Sequence, residues 1–581
     1  MNSRSPRFET PAYLIALLVA AGLRFVSLGA IPLTDPEATL ALQSLHIAQG
    51  LKPALGSNVA YVNLTALTFF VFGASDFLAR FWPALAGSAL VLAPWLFRER
   101  IKPRPAIILA FFLAIDPALV AASRTAGGST LVLAGFLLSV GFWQRGQMRL
   151  AGIFAALALL GGPSLWAGLL GLLLTWMILQ GLMAGSKIGE EPTETKEADA
   201  QPSAEIPAPE VTVSFLPPNP DYRSMFLSGG IALLAISTLL LFSPQGVAAW
   251  LTSLPEYILG WVRPSSSPAS HVWLALIVYQ PMAVLLAVIA IVRGWVNGSK
   301  RIILLSLWAV VALLLAVFYQ ARQPVDLVWA LIPLWTMAAI ELNRHVLLVR
   351  EDRMETVGVV AFTLILIGFA WMDFTAITWV SFPSTQASLR LYMLVGAVVL
   401  FIVSVVLVGY GWSERIARVG AAWGLAVLFG FYTIGAAWGA TGLRTPNGAE
   451  LYQSGPTIAQ ADLLARSVKD ISEWSVGSKD YLPVLVYGVD SPALLWTLRD
   501  HNPQVVTVLD PTASPALVVT PPMQDLQLAA AYRGQDFNWR QTPSWDVFST
   551  YRMRWLTLRD LPQSSESLVL WARDDLFIDV P

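Results

Sequence analysis

Long apolar runs, separated by short polar turns, recur over most of the first 440 residues of this chain. Most runs reach roughly 18 residues, long enough for a helix to cross about 30 Å of hydrocarbon. The runs at 12–28, 78–97, 105–120, 130–143, 151–160, 165–183 and 225–242 open the series. Those at 272–292, 302–318, 325–342, 357–372, 391–408 and 419–437 complete it. Together they predict about thirteen spans, of which 151–160 is the shortest. A further apolar run at 61–73 contains Asn63 and Thr65. It is expected to lie in the first outer loop, residues 29–77, as an interfacial or re-entrant helix.

Beyond residue 440 the period changes. A helical pattern at 457–474 is followed by "LPVLVYGVD", "QVVTVLD" and "PALVVTP", which read as buried strands. "SPALLWTLRDH" lies between the first two and reads as a helix. Strands alternating with helices predict a small α/β domain. The expected fold class is therefore mainly α: a polytopic transmembrane helical bundle over 1–439, with a C-terminal extracytoplasmic α/β domain over 440–581. Residues 187–221 are rich in Glu, Pro, Ala and Thr and are expected to be a disordered cytoplasmic loop.

Charge orients this frame. Arg4, Arg7, Arg98 to Arg104, Arg145, Arg149, Lys187, Arg293 to Arg301, Arg344 to Arg353, Arg415 and Arg418 fall on one side of the alternation. That side is expected to be cytoplasmic, with the N-terminus on it and the C-terminus outside. The expected location is the plasma or inner membrane, as a multi-pass protein. Only 13% of residues are charged, and 56% are hydrophobic. A net charge of −1 argues against a nucleic-acid partner. The absence of Cys excludes disulfides and thiolate chemistry, and four scattered His disfavour a His-based metal site. The tail has no G-x-G-x-x-G or Walker pattern.

The first outer loop carries "LGAIPLTDPEATLALQSL" (Leu28 to Leu45). Asp35 can cap a helix with Pro36 at its first position, or Thr34-x-x-Glu37 can form a capping box. The order of the motifs that follow carries a resemblance. Arg24, "LGAIPL" and the acidic pair precede Arg80, Pro83 and Gly87; then come Pro117, Ser123 and Arg124; Arg322-Gln-Pro leads into Pro333. This order resembles GT-C membrane glycosyltransferases, which include protein O-mannosyltransferases, aminoarabinose transferases and the catalytic subunit of oligosaccharyltransferase. "SPALLWTLRDHNP" also resembles the tail of the flippase-associated glycosyltransferase-like group. A packing role for Trp496 and Leu498 and a solvated Arg499/Asp500 pair explain that stretch equally well.

The resemblance implies transfer of a sugar from a polyprenyl-phosphate donor in the bilayer to a lipid, glycan or protein acceptor. It makes Asp35 the expected base, with Glu37 as its partner, since close carboxylates raise one another's pKa. Arg124, Arg322 and Lys52 are the expected phosphate-binding cations, although snorkelling or solvated roles serve these residues as well. His271 has an interfacial reading. No cofactor is certain; a divalent cation, Mg or Mn, would fall to Asp35 and Glu37. Many relatives carry an acid shortly after the "SR" pair, whereas here Gly127, Gly128 and Ser129 follow. That departure leaves open a metal-independent enzyme or a scaffold protein without activity. A secondary transporter is disfavoured, because no internal repeat and few mid-span charges occur.

Overall fold

The computed structural model describes residues 6–188, 221–265, 267–345, 353–380, 384–444 and 448–577. The loop expected at 187–221 falls almost wholly outside them. All thirteen predicted apolar segments are helical. Among the described residues, seven helices are long and apolar enough to cross a membrane, or nine if each of two bent pairs counts as one span. The segments predicted at 130–143, 151–160 and 225–242 form helices of 16, 12 and 16 residues. At about 1.5 Å per residue these fall short of about 30 Å as straight helices.

Two predicted spans prove to be broken. The 105–120 run divides into Pro103–Ile115 and Pro117–Arg124, bent by 53°. The 272–292 run divides into Ala269–Tyr279 and Pro281–Val296, bent by 87°. In both, the break falls on the residue before a proline, Asp116 or Gln280, which is biased away from helical backbone. Proline then opens the next helix, where its missing N–H costs nothing. Hydropathy is blind to these breaks because the prolines sit among apolar neighbours.

The 61–73 run is a 14-residue helix, Val59–Phe72, buried at its start and exposed at Phe70, Val71 and Phe72. Asn63 on it donates from Nδ2 to the carbonyls of Ile236 and Ser237, both at 2.8 Å. These carbonyls end the Tyr222–Ser237 helix and have no partner within it. The three helices Arg353–Ile377, Thr385–Gly411 and Glu414–Ala440 are apolar and mostly unburied within the protein.

The tail forms one six-stranded sheet. Its strands are β1 (Thr457–Ile458), β2 (Val484–Tyr487), β3 (Gln504–Val506), β4 (Leu517–Thr520), β5 (Tyr532–Pro543) and β6 (Gln563–Arg573). The order is β1-β5-β6-β4-β2-β3, parallel across β4-β2-β3 and antiparallel elsewhere. The three predicted strands are β2, β3 and β4. β5 and β6 were not expected, because most of their outward positions are polar or charged. Helices Ala461–Val476 and Pro492–Thr497 cover the sheet, and their core is continuous with the first loop. Leu33, Ala38, Ala41, Phe69 and Ala79 pack in one cluster with Leu464, Trp496, Phe537 and Leu570. Trp496 does pack, as one reading required: it meets Phe69 at 5.7 Å and donates to Asp76 at 2.7 Å.

Candidate functional site

The loop helix Asp35–Ala48 starts at Thr34, so Glu37, not Asp35, is the capping carboxylate. Glu37 Oε2 accepts from the Thr34 backbone N–H and from its hydroxyl, each at 3.0 Å. Arg80 donates to both carboxylate oxygens, from Nε and Nη2, at 2.8 Å each. The Ala126 N–H adds a fifth bond at 2.9 Å. Arg80 also reaches the carbonyls of Leu28, Ile31 and Pro32. Glu37 is 2% exposed. Burial alone would raise its carboxyl, but the Arg80 guanidinium and the backbone donors outweigh that and hold it below the usual range. Glu37 is thus a structural anion that ties the loop to the Asp76–Leu90 helix and to the chain after Arg124.

The remaining motif residues form an interlock around it. Pro83 lacks an N–H, which frees the Ala79 carbonyl, and the Tyr61 hydroxyl takes it at 2.7 Å. Arg24, fully buried, donates to the carbonyls of Leu113 and Ala114, which the break at Asp116 leaves without helical partners. Asp116 caps Pro117–Arg124 through the Leu119 N–H at 2.7 Å and accepts from Trp335 Nε1 at 2.6 Å. A Cβ at Gly87 would lie 2.5 Å from Ser123 Cβ, so glycine is needed for this approach.

The expected phosphate-binding cations have the following surroundings. Arg124 donates to the carbonyls of Leu23, Arg24, Val26 and Ser27, closing the end of the first helix, Pro6–Phe25. Arg322 reaches Ser267 O at 3.5 Å and Gln320 Oε1 at 3.3 Å. Lys52 is exposed on the loop surface. His271 meets Trp545 with ring centroids 4.4 Å apart and the planes tilted by 56°. Asp35 is also committed. Its Oδ1 accepts from the Ser491 hydroxyl at 2.5 Å and the Ala493 N–H at 3.0 Å, and its Oδ2 from Arg540 Nε at 2.7 Å. All three donors belong to the tail. Its carboxylate therefore caps the Pro492–Thr497 helix and docks the tail on the loop.

Two cavities adjoin this interlock. One, of about 200 Å³, is lined by Glu37, Leu40, Ala126, Gly127, Pro324 and Tyr452, among others. The other, of about 380 Å³, is lined by Glu256, Arg263, Trp308, Leu315, Tyr319 and Asp326, among others. Asn58, Ser129 and Gln323 line both. None of Asp35, Arg124, Arg322 and Lys52 lines either cavity. Asp326 escaped the sequence reading, although "QPVD" carries a signal: Gln323 and Asp326 form a capping box around Pro324. Asp326 Oδ2 accepts from the Gln323 N–H at 2.8 Å, and among the described residues no donor meets its other oxygen.

Gly127 and Gly128 stand where the resemblance would lead one to expect an acid. A Cβ at Gly128 would fall 1.8 Å from the Gly161 carbonyl oxygen, so backbone contact excludes any side chain there. At Gly127 a Cβ would meet nothing within 4 Å. Among the described residues no three His, Asp or Glu gather to hold a metal ion. The oxygens of Asp35 and Glu37 already accept from six donor residues between them, so this pair does not fit a divalent cation.

Comparison with known proteins places the fold. The chain is similar to the crystal structures of ArnT from Cupriavidus metallidurans, one bound to undecaprenyl phosphate and one in the apo state. The TM-score is 0.52 for both, at 13% and 14% identity. The match covers 98% of this chain and 99% of the other. No protein-family model matches the chain, and no curated relative matches its sequence. The likeness establishes the polytopic GT-C fold that the motif order led us to expect.

Proposed function

We propose that the chain is a membrane glycosyltransferase that uses a polyprenyl-phosphate sugar and acts on the extracytoplasmic side, where the tail lies. The observation that carries this reading is the pair of cavities meeting at Asn58, Ser129 and Gln323. The larger one combines apolar walls from Trp308 and Leu315 with a cation, Arg263, and a carboxylate, Asp326. That mixture suits a lipid-linked phosphate whose tail stays in the bilayer. The ArnT structure with undecaprenyl phosphate supports the same donor class for this fold.

In the reaction, the acceptor hydroxyl oxygen bonds to the anomeric carbon and the bond from that carbon to the phosphate oxygen breaks. The polyprenyl phosphate departs with the bonding pair. Arg263 faces its charge, and the free oxygen of Asp326 takes the hydroxyl proton. Gly260 lets the Tyr319 hydroxyl approach, since a Cβ there would lie 1.8 Å from it. The acceptor, whether lipid, glycan or protein, enters through the smaller cavity.

The saturated Asp35 and Glu37 and the glycines after Arg124 favour a second reading, a GT-C scaffold in glycan assembly without catalysis. Transfer from a labelled polyprenyl-phosphate sugar, measured on the wild type, Asp326→Asn and Asp35→Asn, separates the two. The enzyme reading expects activity in the wild type that Asp326→Asn abolishes. Full activity in Asp326→Asn overturns the base, and none in the folded wild type favours the scaffold.

A further inference from the structure

A further cavity, of about 480 Å³, lies toward the other end of the first helix from the interlock. Glu9 and Tyr13 line it from Pro6–Phe25, with Tyr13 about 16 Å along the axis from Arg24. Its facing wall is apolar and includes Leu96, Leu138 and Phe154. The Asp76–Leu96 span ends here and the basic turn from Arg98 to Arg104 begins. The cavity therefore sits where lipid chains give way to headgroups, and Trp95 on its rim is 38% exposed.

Its polar groups are few. Tyr13 is 7% exposed, and its hydroxyl has no hydrogen-bond partner among the described residues. Such a hydroxyl is costly to bury unless a partner comes from outside the chain. Glu9 pairs with Arg98 at 3.5 Å, longer than the about 2.7–2.9 Å of a direct charged hydrogen bond, and both side chains are partly exposed. Arg145 is committed elsewhere. It lies over the Trp95 ring at 4.0 Å and donates to the carbonyls of Trp95 and Leu96. What is left for a ligand is the Tyr13 hydroxyl and the two ends of the loose Glu9–Arg98 pair.

We propose that this cavity binds one zwitterionic glycerophospholipid with a primary ammonium head, phosphatidylethanolamine. Its ammonium meets Glu9, its phosphate lies between Arg98 and the Tyr13 hydroxyl, and an acyl chain runs against Leu96, Leu138 and Phe154. A separated acid–base pair complements a head that carries both charges. An ammonium that keeps its N–H groups donates to Glu9, whereas a trimethylated one has none to donate. An anionic head brings Glu9 no cation. The cavity shares no residue with the two assigned to donor and acceptor, so the proposal stands whether or not the chain transfers sugar.

The full-length protein in detergent is titrated separately with phosphatidylethanolamine, phosphatidylcholine and phosphatidylglycerol and examined by native mass spectrometry. Circular dichroism checks folding. One phosphatidylethanolamine should remain bound under conditions that strip the other two. Tyr13→Phe keeps the ring and removes only the hydroxyl, and it should weaken that lipid about tenfold at unchanged helicity. Glu9→Gln should erase the preference for phosphatidylethanolamine over phosphatidylcholine. Equal retention of the three lipids by the wild type, or preference for phosphatidylglycerol, overturns the proposal. So does unchanged retention in Tyr13→Phe, or undiminished discrimination in Glu9→Gln.

Discussion

Glu37 and Asp326 begin from the same local device. Each is the third helical residue of a capping box, accepting from the backbone N–H of the N-cap residue, Thr34 or Gln323. Pro36 directly precedes Glu37 and Pro324 stands two residues before Asp326, and each acid lines one of two adjoining cavities. They differ in what the rest of the fold brings to them. Glu37 meets a buried arginine and a second backbone donor, and none of its capacity is left for a substrate. Asp326 keeps one oxygen without a donor among the described residues. The number of partners, more than the presence of an acid in a loop, separates a carboxylate that holds structure from one that can take a proton.

Breaking the Glu37 side should have the largest effect. Glu37→Gln leaves Arg80 buried without its counter-charge, an expected loss of about 3–5 kcal/mol, read as thermal unfolding in detergent. The pH dependence sharpens this. A carboxyl held low in the native state stabilises above its unfolded value, about 4.3, and that stability fades as pH falls through the native value. The wild type should therefore lose stability below about pH 4, and Glu37→Gln should flatten that limb. If the variant instead kept full stability and lost only transfer, the contrast with Asp326 would collapse.

Asp326→Asn comes next. Transfer should fall by about 10²-fold or more with unfolding unchanged, in a labelled-donor assay. Gly128→Ala should cost about 1–3 kcal/mol by overpacking against Gly161, whereas Gly127→Ala at its open position should be near neutral in the same melt. Asp35→Asn should be mildest. It keeps an acceptor for Ser491 and Ala493 but loses the charge on Arg540, a partly exposed pair worth about 1 kcal/mol. Faster proteolytic release of the tail, with transfer retained, is the expected outcome. Loss of transfer in that variant at full stability would return the base to Asp35.

Much of the candidate site was legible as a list of residues and little of it as roles. Arg24, Arg80, Gly87, Ser123 and Arg124 do converge, but on backbone carbonyls and on Glu37. Arginine between helix ends reads alike whether it awaits a phosphate or closes a helix. Asp326 was not legible as a site residue, because a capping-box spacing gives no sign that one carboxylate oxygen stays free. β5 and β6 were missed because one face of each meets solvent.

The sequence alone determined the number and place of the apolar segments, the change to a soluble tail near residue 440, and the loop that carries the acidic pair. Hydrophobic period and length are local properties, and a bilayer imposes helix on any such run because its backbone groups must pair internally. The tertiary structure alone decided how sharply two of those helices bend at their prolines and which carboxylate is free. It also decided that Asp35 faces the tail and that the loop and tail share one core. Those outcomes depend on which donors lie within about 3 Å, and residues 456 and 505 positions apart supply them.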